Sequence, residues 1–535
     1  MQQYHDVVVA GGGLAGISCL IELKARGLSS ILFEKSPRPG GTWFSNSYPG
    51  SGCDTFGPAY SFQKLKSVTN NWRWSARYSS SGDIREYLNH CIQSLNLSDQ
   101  IKTNTRISGA TYDAGKNLWQ VILNESELIS CRFFVMATGP LSRPHIPEIP
   151  GLCLSNPNIV HSSEWETKNP DWKAKGISVI GTGTSSVQMI PELAKECREL
   201  RVFQRTPAYC FPAGQRPLSP EEVNFYQSQP RDLYDQPLQG ALSPDFKLSD
   251  KVVPDSFDIS DPEIRQQLDM AWNQGGFSLL GAFQDLRPQL LRNPDINQKI
   301  RDYIHSKIKA VVNDPQTASH LCPDYPLLSK RPALSDTYYQ TFNQSHVKLI
   351  SLKSEPIQSV KGTSVLTNKQ NYDSDLIILA TGYMAMKGSF LQINPTGLYG
   401  SLADHWQKRP QTYMGLLVHG FPNLFLINGP LSPGPFSNLM TLSALQSRWI
   451  ADAISKAGSD SLIHVTKQKE TDWISDAQKL TEGTIFEACN SWYSDKHDQK
   501  SSDSFLLYMN EVAYREKLSN HLTDDFLQFS DGHLS

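Results

Sequence analysis

Residues 6–35 read DVVVAGGGLAGISCLIELKARGLSSILFEK, and this stretch decides the fold. DVVVA (6–10) is an apolar run of buried-strand length, and GGGLAG (11–16) is a tight glycine turn. Residues 14–26 then read as a helix and SSILFEK (29–35) as a second strand ending on an acid. Strand, turn, helix and strand in this order open a dinucleotide-binding βαβ unit. Gly11 permits the turn, Gly13 lets the backbone approach a pyrophosphate, Gly16 lets the helix lie close to the strand, and the helix N-terminus faces the phosphates. Glu34 is placed to bond ribose hydroxyls. A glycine turn alone also serves packing, so the acid at the right offset is what favours a nucleotide.

GISVIGTGTSSVQMIPELAKECRELRVFQRT (176–206) repeats the pattern, with its turn at Gly181, Gly183, Thr184, Ser185 and Ser186, and Gln188 following on the helix. Ser186 stands where the third glycine stood. From Gly11 the acid lies 23 positions on, at Glu34; the same step from Gly181 lands on Gln204, followed by Arg205 and Thr206. No carboxylate is there to repel a 2′-phosphate, and a guanidinium is placed to bind one in bidentate fashion. The alternative for Arg205 is a solvated surface arginine. The first unit therefore reads as an FAD site and the second as an NADPH site.

FFVMATG (133–139) and LIILATG (376–382) are apolar strands ending in the same Ala-Thr-Gly, and they bracket the second nucleotide motif. Between Pro207 and Tyr325 the pattern turns Pro-rich, polar and helical. The expected fold is α/β, with two Rossmann-like dinucleotide-binding domains, for FAD and NADP, and an inserted helical subdomain. Residues 1–145 and 380–535 would form the FAD domain, 146–210 and 326–379 the NADP domain, and 211–325 the helical insertion. A length of 535 residues agrees with about three domains.

The composition excludes several classes. With 50 Lys and Arg against 53 Asp and Glu, there is no basic footprint for nucleic acid. No apolar run approaches the ~18 residues of a membrane span, and the first apolar stretch is short and ends in glycines, unlike a secretory signal. Nine cysteines include no CxxC pair, which speaks against structural zinc, a disulfide framework and the redox pair of a flavin disulfide reductase. No metal site is expected, and the default location is a reducing cytoplasm.

Further motifs follow in order: GGTW (40–43), YPG (48–50), CD (53–54), VFQRTP (202–207), SKRP (329–332), SDTYYQTFN (335–343), TYMGL (412–416), FPNLFLINGP (421–430), SNLM (437–440) and SWY (491–493). Over nearly its whole length the chain resembles the flavin-dependent Baeyer–Villiger monooxygenases, a branch of the class B flavoprotein monooxygenases. The family hallmark Phe-x-Gly-x-x-x-His-x-x-x-Trp corresponds to SNPNIVHSSEW (155–165), where His161 and Trp165 keep their spacing and Ser155 and Pro157 replace Phe and Gly. Gly52 stands where the family has Arg before Cys-Asp.

The resemblance implies FAD and NADPH as cofactors, O2 and a small-molecule ketone as substrates, and insertion of oxygen beside the carbonyl through a C4a-peroxyflavin to give an ester or lactone. It implies that Arg331 stabilises the anionic oxygens and that Asp54 orients its guanidinium beside the flavin. Lys330 would contact the NADPH 2′-phosphate. Gly41, Thr42, Trp43 and Tyr60 would contact flavin, Trp492 would close over NADP, and Leu431, Phe436 and Met440 would shape the substrate pocket in a loop stiffened by Pro433 and Pro435. A helix starting near Ser437 or Asn438 would place its N-terminus by the flavin. Without the resemblance, Lys330 and Arg331 read as a surface basic pair, Asp54 as a turn or cap residue, and Trp43, Tyr60 and Trp492 as core aromatics. His161 reads as packed in a helix or loop rather than as a general base. Two further readings stand beside this one: a flavin monooxygenase that oxidises N, S or an alkene through the hydroperoxyflavin, and a silent nucleotide-binding relative. The oligomeric state and the identity of the substrate are not readable from the residues.

Overall fold

The computed structural model describes residues 3–62, 65, 68, 71–228, 249–434, 437–457, 461–487 and 511–520. The two apolar strand runs become the centres of two separate sheets. Tyr4–Ala10 pairs in parallel with Ser30–Phe33 on one side and Glu127–Met136 on the other. Val7, Val8 and Val9 are all fully buried, the result of helices and strands covering both faces of a parallel centre. Leu118–Leu123 and Ile107–Asp113 extend the sheet as an antiparallel hairpin. Leu424–Leu426 completes it, lying beside the far end of Glu127–Met136 with Leu424 opposite Phe134. Helix Leu14–Ala25 packs on helix Leu439–Lys456, and Arg26 clips the pair by donating 2.6 Å to Asp452. The C-terminal region thus supplies both a strand and a covering helix to the first sheet.

The second sheet is five-stranded and parallel, in the order Val347–Ser351, Glu199–Gln204, Gly176–Ile180, Leu376–Leu379, Ile159–His161. His161, read from sequence as a packed helix or loop position, ends the edge strand of this sheet. Helices Pro220–Ser228, Pro262–Gln274, Leu286–Arg292, Pro294–Val311 and Pro315–Leu321 follow the second unit. Asp261, Asn293 and Asp314 cap three of them, each with Pro at the helix start. Leu268, Leu286, Ile300 and Ile304 share one buried core with Val179 and Val202 of the second sheet and with Val187 of the helix Thr184–Glu196. Four of the five helices therefore pack with the second sheet, whereas Val223 and Tyr226 of Pro220–Ser228 lie against the core of the first.

The chain passes between the sheets twice at one place. The amide of His145 donates to Gly382, that of Met384 to Arg143 and that of Met386 to Pro140, at 2.9, 2.9 and 2.7 Å. The repeated Ala-Thr-Gly has a steric reason. A Cβ on Gly11 would lie 2.6 Å from the carbonyl oxygen of Ala137, and one on Gly181 would lie 2.4 Å from that of Ala380. Each Ala-Thr-Gly strand end thus presses its first carbonyl onto the first glycine of a nucleotide turn. Both glycines also hold positive φ, +106° and +110°.

The third turn positions differ. A Cβ on Gly16 would sit 1.9 Å from the Gly11 carbonyl oxygen and 3.0 Å from Leu32, so the turn itself, more than the strand, demands glycine there. Ser186 fits at the second turn, fully buried, and its hydroxyl donates 2.7 Å to the Gly181 carbonyl. The substitution replaces a close approach by a hydrogen bond.

Candidate active site

Helices usually bring a side chain to satisfy their first amides. Among the described helices of twelve residues or more, Ser80, Asp261, Asn293, Asn438 and Thr466 do so for five. The two that follow the glycine turns, Leu14–Ala25 and Thr184–Glu196, begin at Gly13 and Gly183 without a side-chain cap. Open amides at a helix N-terminus suit phosphate.

At the first turn, Gly13 and Gly41 bring bare backbone face to face: a Cβ on Gly41 would lie 2.8 Å from the Gly13 Cα. Glu34 is buried, with one carboxylate oxygen 2.6 Å from the Gly12 amide and the other 2.8 Å from the Ser36 amide. Thr138, against Gly11, keeps a buried hydroxyl with no protein partner. An open helix end, a side-chain-free cradle, a fixed acid and an orphaned hydroxyl fit the adenosine diphosphate part of FAD.

At the second turn a Cβ on Gly183 would meet nothing within 4 Å, so this helix end is also open. Gln204 occupies the acid's position but turns its amide onto the His320 carbonyl at 2.7 Å, whereas Arg205 is exposed. Thr182 donates 2.7 Å to the Thr206 carbonyl, fixing the segment after the strand. An exposed cation, with Gln204 in the acid's place, fits NADPH.

A candidate reacting centre joins Asp54 of the first part of the chain to Arg331. Asp54, on the short strand Gly52–Phe56, accepts from Arg331 Nε at 2.6 Å and from Arg331 Nη2 at 2.9 Å. The guanidinium also lies 4.8 Å from the ring centroid of Phe277. This ring comes from the helical stretch, and its motif, GGFS, carries no sign of the role. Two in-plane bonds and a ring fix the plane of the cation. Both side chains remain about one-fifth exposed, so the pair is reachable. Trp43 donates 3.2 Å to the Tyr60 hydroxyl, with the rings edge-to-face at 5.8 Å. Thr42 is exposed at the start of the same turn of helix.

Gln188 ties this centre to the second turn. It donates 2.9 Å to the Gly52 carbonyl and accepts 3.0 Å from the Tyr48 hydroxyl, while Gly50 packs on the Gln188 carbonyl. At Gly52, where the family has Arg, a Cβ would lie 3.0 Å from the Ser79 carbonyl oxygen of the paired strand, a close fit. Lys330 points away from Asp54, its Nζ 4.7 Å from the Tyr325 ring centroid. Leu431 and Met440 are buried in one cluster with Tyr60 and Cys53; the helix starts after Asn438, near the expected place, and Asn438 caps it and donates 2.9 Å to the Ala59 carbonyl. Phe436 and Trp492 lie outside the described residues.

His161 is fully buried, with Nδ1 2.7 Å from the Ser163 hydroxyl and Nε2 3.2 Å from the Gly382 carbonyl. Burial pushes its pKa down to about 4, so it is neutral at ordinary pH and faces the chain crossing rather than Arg331. Pro157 fits because it occupies the second place of a turn closed by the Ile159 amide on the Asn156 carbonyl, where a fixed φ is favourable.

Comparison with known proteins agrees with this geometry. A family described as pyridine nucleotide-disulphide oxidoreductase matches residues 8–220. The chain is 33% identical to a 2-oxo-Δ3-4,5,5-trimethylcyclopentenylacetyl-CoA monooxygenase of Pseudomonas putida, covering 91% of this chain and 90% of the relative. It is 31% identical to a cyclohexanone 1,2-monooxygenase of Acinetobacter over 96% of this chain and 94% of the relative. The chain belongs to the flavin-dependent Baeyer–Villiger monooxygenase family. A solved closed cyclohexanone monooxygenase superposes with a TM-score of 0.91 at 29% identity, covering 99% and 100% of the two chains. A steroid monooxygenase bound to NADP gives 0.88 at 32% identity, covering 99% of each. Like other members of the Baeyer–Villiger family, the protein is an NADPH- and O2-dependent flavoprotein monooxygenase that uses FAD. Its described cysteines are all free. Among the described residues no helix is long and apolar enough to cross a membrane.

Proposed function

We propose that the enzyme oxidises a small ketone to an ester or lactone, and that Arg331 and Asp54 form its catalytic pair. The bidentate Arg331–Asp54 contact carries this reading. FAD, reduced by NADPH, supplies activated oxygen when bound. Arg331 stays cationic at any working pH, and its two bonds to Asp54 and its seat on Phe277 hold the guanidinium ready for negative charge developing on the ketone oxygen. Gly11, Gly13, Gly16 and Glu34 would hold the FAD dinucleotide, with Gly41, Thr42, Trp43 and Tyr60 towards the flavin. Gly181, Gly183, Thr184, Ser185, Ser186, Gln188, Arg205, Thr206 and Lys330 would hold NADPH, with Trp492 closing over it. Leu431, Phe436 and Met440 would set pocket shape. We divide the chain into FAD parts 1–145 and 380–535, NADP parts 146–210 and 326–379, and a helical insertion 211–325. The two sheets and the paired crossing at Pro140–Met386 support that division. We place the enzyme in the cytoplasm, on its nine cysteines without a CxxC pair.

A second reading is N-oxidation, because a phenazine N-monooxygenase of Lysobacter antibioticus is 33% identical over 98% of this chain and 97% of its own. Incubating the purified holoenzyme with NADPH, air and either cyclic ketones or phenazine, followed by mass spectrometry, tests the choice. Esters or lactones that disappear in Arg331→Ala are expected. N-oxide formation with every ketone untouched would replace the ketone reading.

A further inference from the structure

The segment carrying Arg205 and the segment carrying Lys330 are clasped by a reciprocal pair of tyrosines. Tyr209 donates its hydroxyl 2.7 Å to the backbone carbonyl of Tyr325, and Tyr325 donates its hydroxyl 3.0 Å to the carbonyl of Pro207. Their rings meet edge-to-face with centroids 5.2 Å apart. Tyr209 is buried at 1% exposure, so the clasp is anchored in the core, while Tyr325 is half-buried. The Ala333 amide donates 2.8 Å to the Tyr209 carbonyl, continuing the attachment past Arg331.

Tyr325 thereby has two attachments with different ends. Its hydroxyl fixes Pro207, two residues after Arg205, and its ring face carries the Lys330 ammonium. The next residue, Arg331, turns to Asp54 and Phe277. Two adjacent cations are thus sorted: one to Asp54 and Phe277, the other to the ring of Tyr325, whose hydroxyl holds Pro207. A lysine on a free stem loses much rotamer freedom when it binds an anion, and one already resting on a ring has lost part of it beforehand.

We propose that Tyr325 is the positioning residue that sets the preference for NADPH over NADH, by holding Lys330 beside the Arg205–Pro207 segment for the 2′-phosphate. This rests on the reading of that segment as the 2′-phosphate site. The contact is to the cation and not to the nicotinamide end, so it acts on coenzyme choice and leaves the chemistry of the bound coenzyme alone.

The test uses the FAD holoenzyme, with two readouts. One is kcat/KM for NADPH and for NADH; the other is calorimetric binding of 2′,5′-ADP and of 5′-AMP, which differ in the 2′-phosphate. Tyr325→Leu is expected to weaken NADPH and 2′,5′-ADP roughly three- to ten-fold, with NADH and 5′-AMP unchanged. Tyr325→Phe keeps the ring and its packing on Tyr209 and removes the hydroxyl that bonds Pro207. It is expected to lower the NADPH-to-NADH ratio roughly two- to five-fold, and it decides the matter if the leucine variant does not fold. A ratio unchanged in Tyr325→Phe, or phosphate-bearing and phosphate-free ligands weakened equally, would overturn the proposal. Lys330→Ala separates the two layers: if it erases the preference while the Tyr325 variants keep it, the phosphate site stands and the role of Tyr325 falls. If Lys330→Ala leaves the preference intact, both fall.

Discussion

Asp54→Asn is the sharpest test of the reacting centre, because it changes one charge and almost no volume. In the wild type the two carboxylate oxygens accept from Nε and Nη2 of Arg331 at 2.6 and 2.9 Å. An amide can accept only one of these bonds, and its NH2 then faces the other guanidinium N–H, donor against donor. A charge-assisted bond is worth ~1.5–3 kcal/mol. Side chains about one-fifth exposed place the pair towards the middle of that range, because water screens part of the charge. A loss of about 2 kcal/mol corresponds to roughly 30-fold in rate. Ketone kcat/KM should therefore fall roughly 30-fold in Asp54→Asn, and by ~100-fold or more in Arg331→Ala, where the cation itself is lost. Flavin content should be unchanged. Parallel measurement of NADPH consumed and ester formed gives the coupling as well as the rate. An Asp54→Asn enzyme within three-fold of wild type, with product still matching NADPH, would show that the carboxylate does not orient the guanidinium for the reaction.

Other consequences can be measured directly. Ser186→Ala loses a buried hydroxyl bond to the second turn and should cost ~1 kcal/mol in urea unfolding, whereas Gly16→Ser, with a Cβ 1.9 Å from the Gly11 carbonyl, should purify without yellow colour. A Gly16→Ser enzyme with full flavin would contradict the steric account. His161 has a folded pKa of about 4 against ~6.5 when unfolded, so the folded state binds fewer protons between these values. Its stabilising contribution is complete above pH ~6.5 and is lost as pH falls towards ~4. Urea midpoints should therefore drop more steeply over that window in the wild type than in His161→Gln, and parallel curves would refute the assignment. Glu166 accepts from Arg38 at 2.6 Å and Arg85 at 2.9 Å, but at 24% exposure Glu166→Gln should cost under ~1 kcal/mol, with the difference shrinking as salt rises. A larger, salt-independent loss would mean that this bridge is dry.

Local features were legible because short-range sterics dictate them. The runs at 6–10 and 176–180, the two glycine turns and the helices after them lie within a residue or two of the expected places. Glu34 and Gln204 could be compared by counting, since strand and helix lengths are fixed between them. The meeting of Asp54 with Arg331 was available only through family resemblance: the two are far apart in sequence, and nothing local to CDTF or SKRP announces a partner. Phe277 gave no signal at all, because a ring beneath a guanidinium depends on how helices pack. The tyrosine clasp was hidden for a related reason, since Tyr209 and Tyr325 flank the whole helical stretch. Ser186 looked like a departure until its neighbour was visible, and Pro157 until the turn around it was.

The pairing of Leu424 with Phe134 also sets an order of events during synthesis. The strand ending at Met136 emerges from the ribosome roughly 290 residues before its partner, a wait of about 15–60 seconds at ordinary elongation speeds. During that interval its far end is an unpaired edge, and the helix due to cover Leu14–Ala25 has not been made. Everything the second sheet needs, through Leu376–Leu379, is translated inside the same interval. The second sheet can thus be assembled while the first is still waiting for its last strand. An unpaired apolar edge held open for that long attracts chaperones and neighbouring nascent chains alike. Yield in a heterologous host should accordingly depend on how fast residues 380–456 are translated, more than on the stability of the finished enzyme.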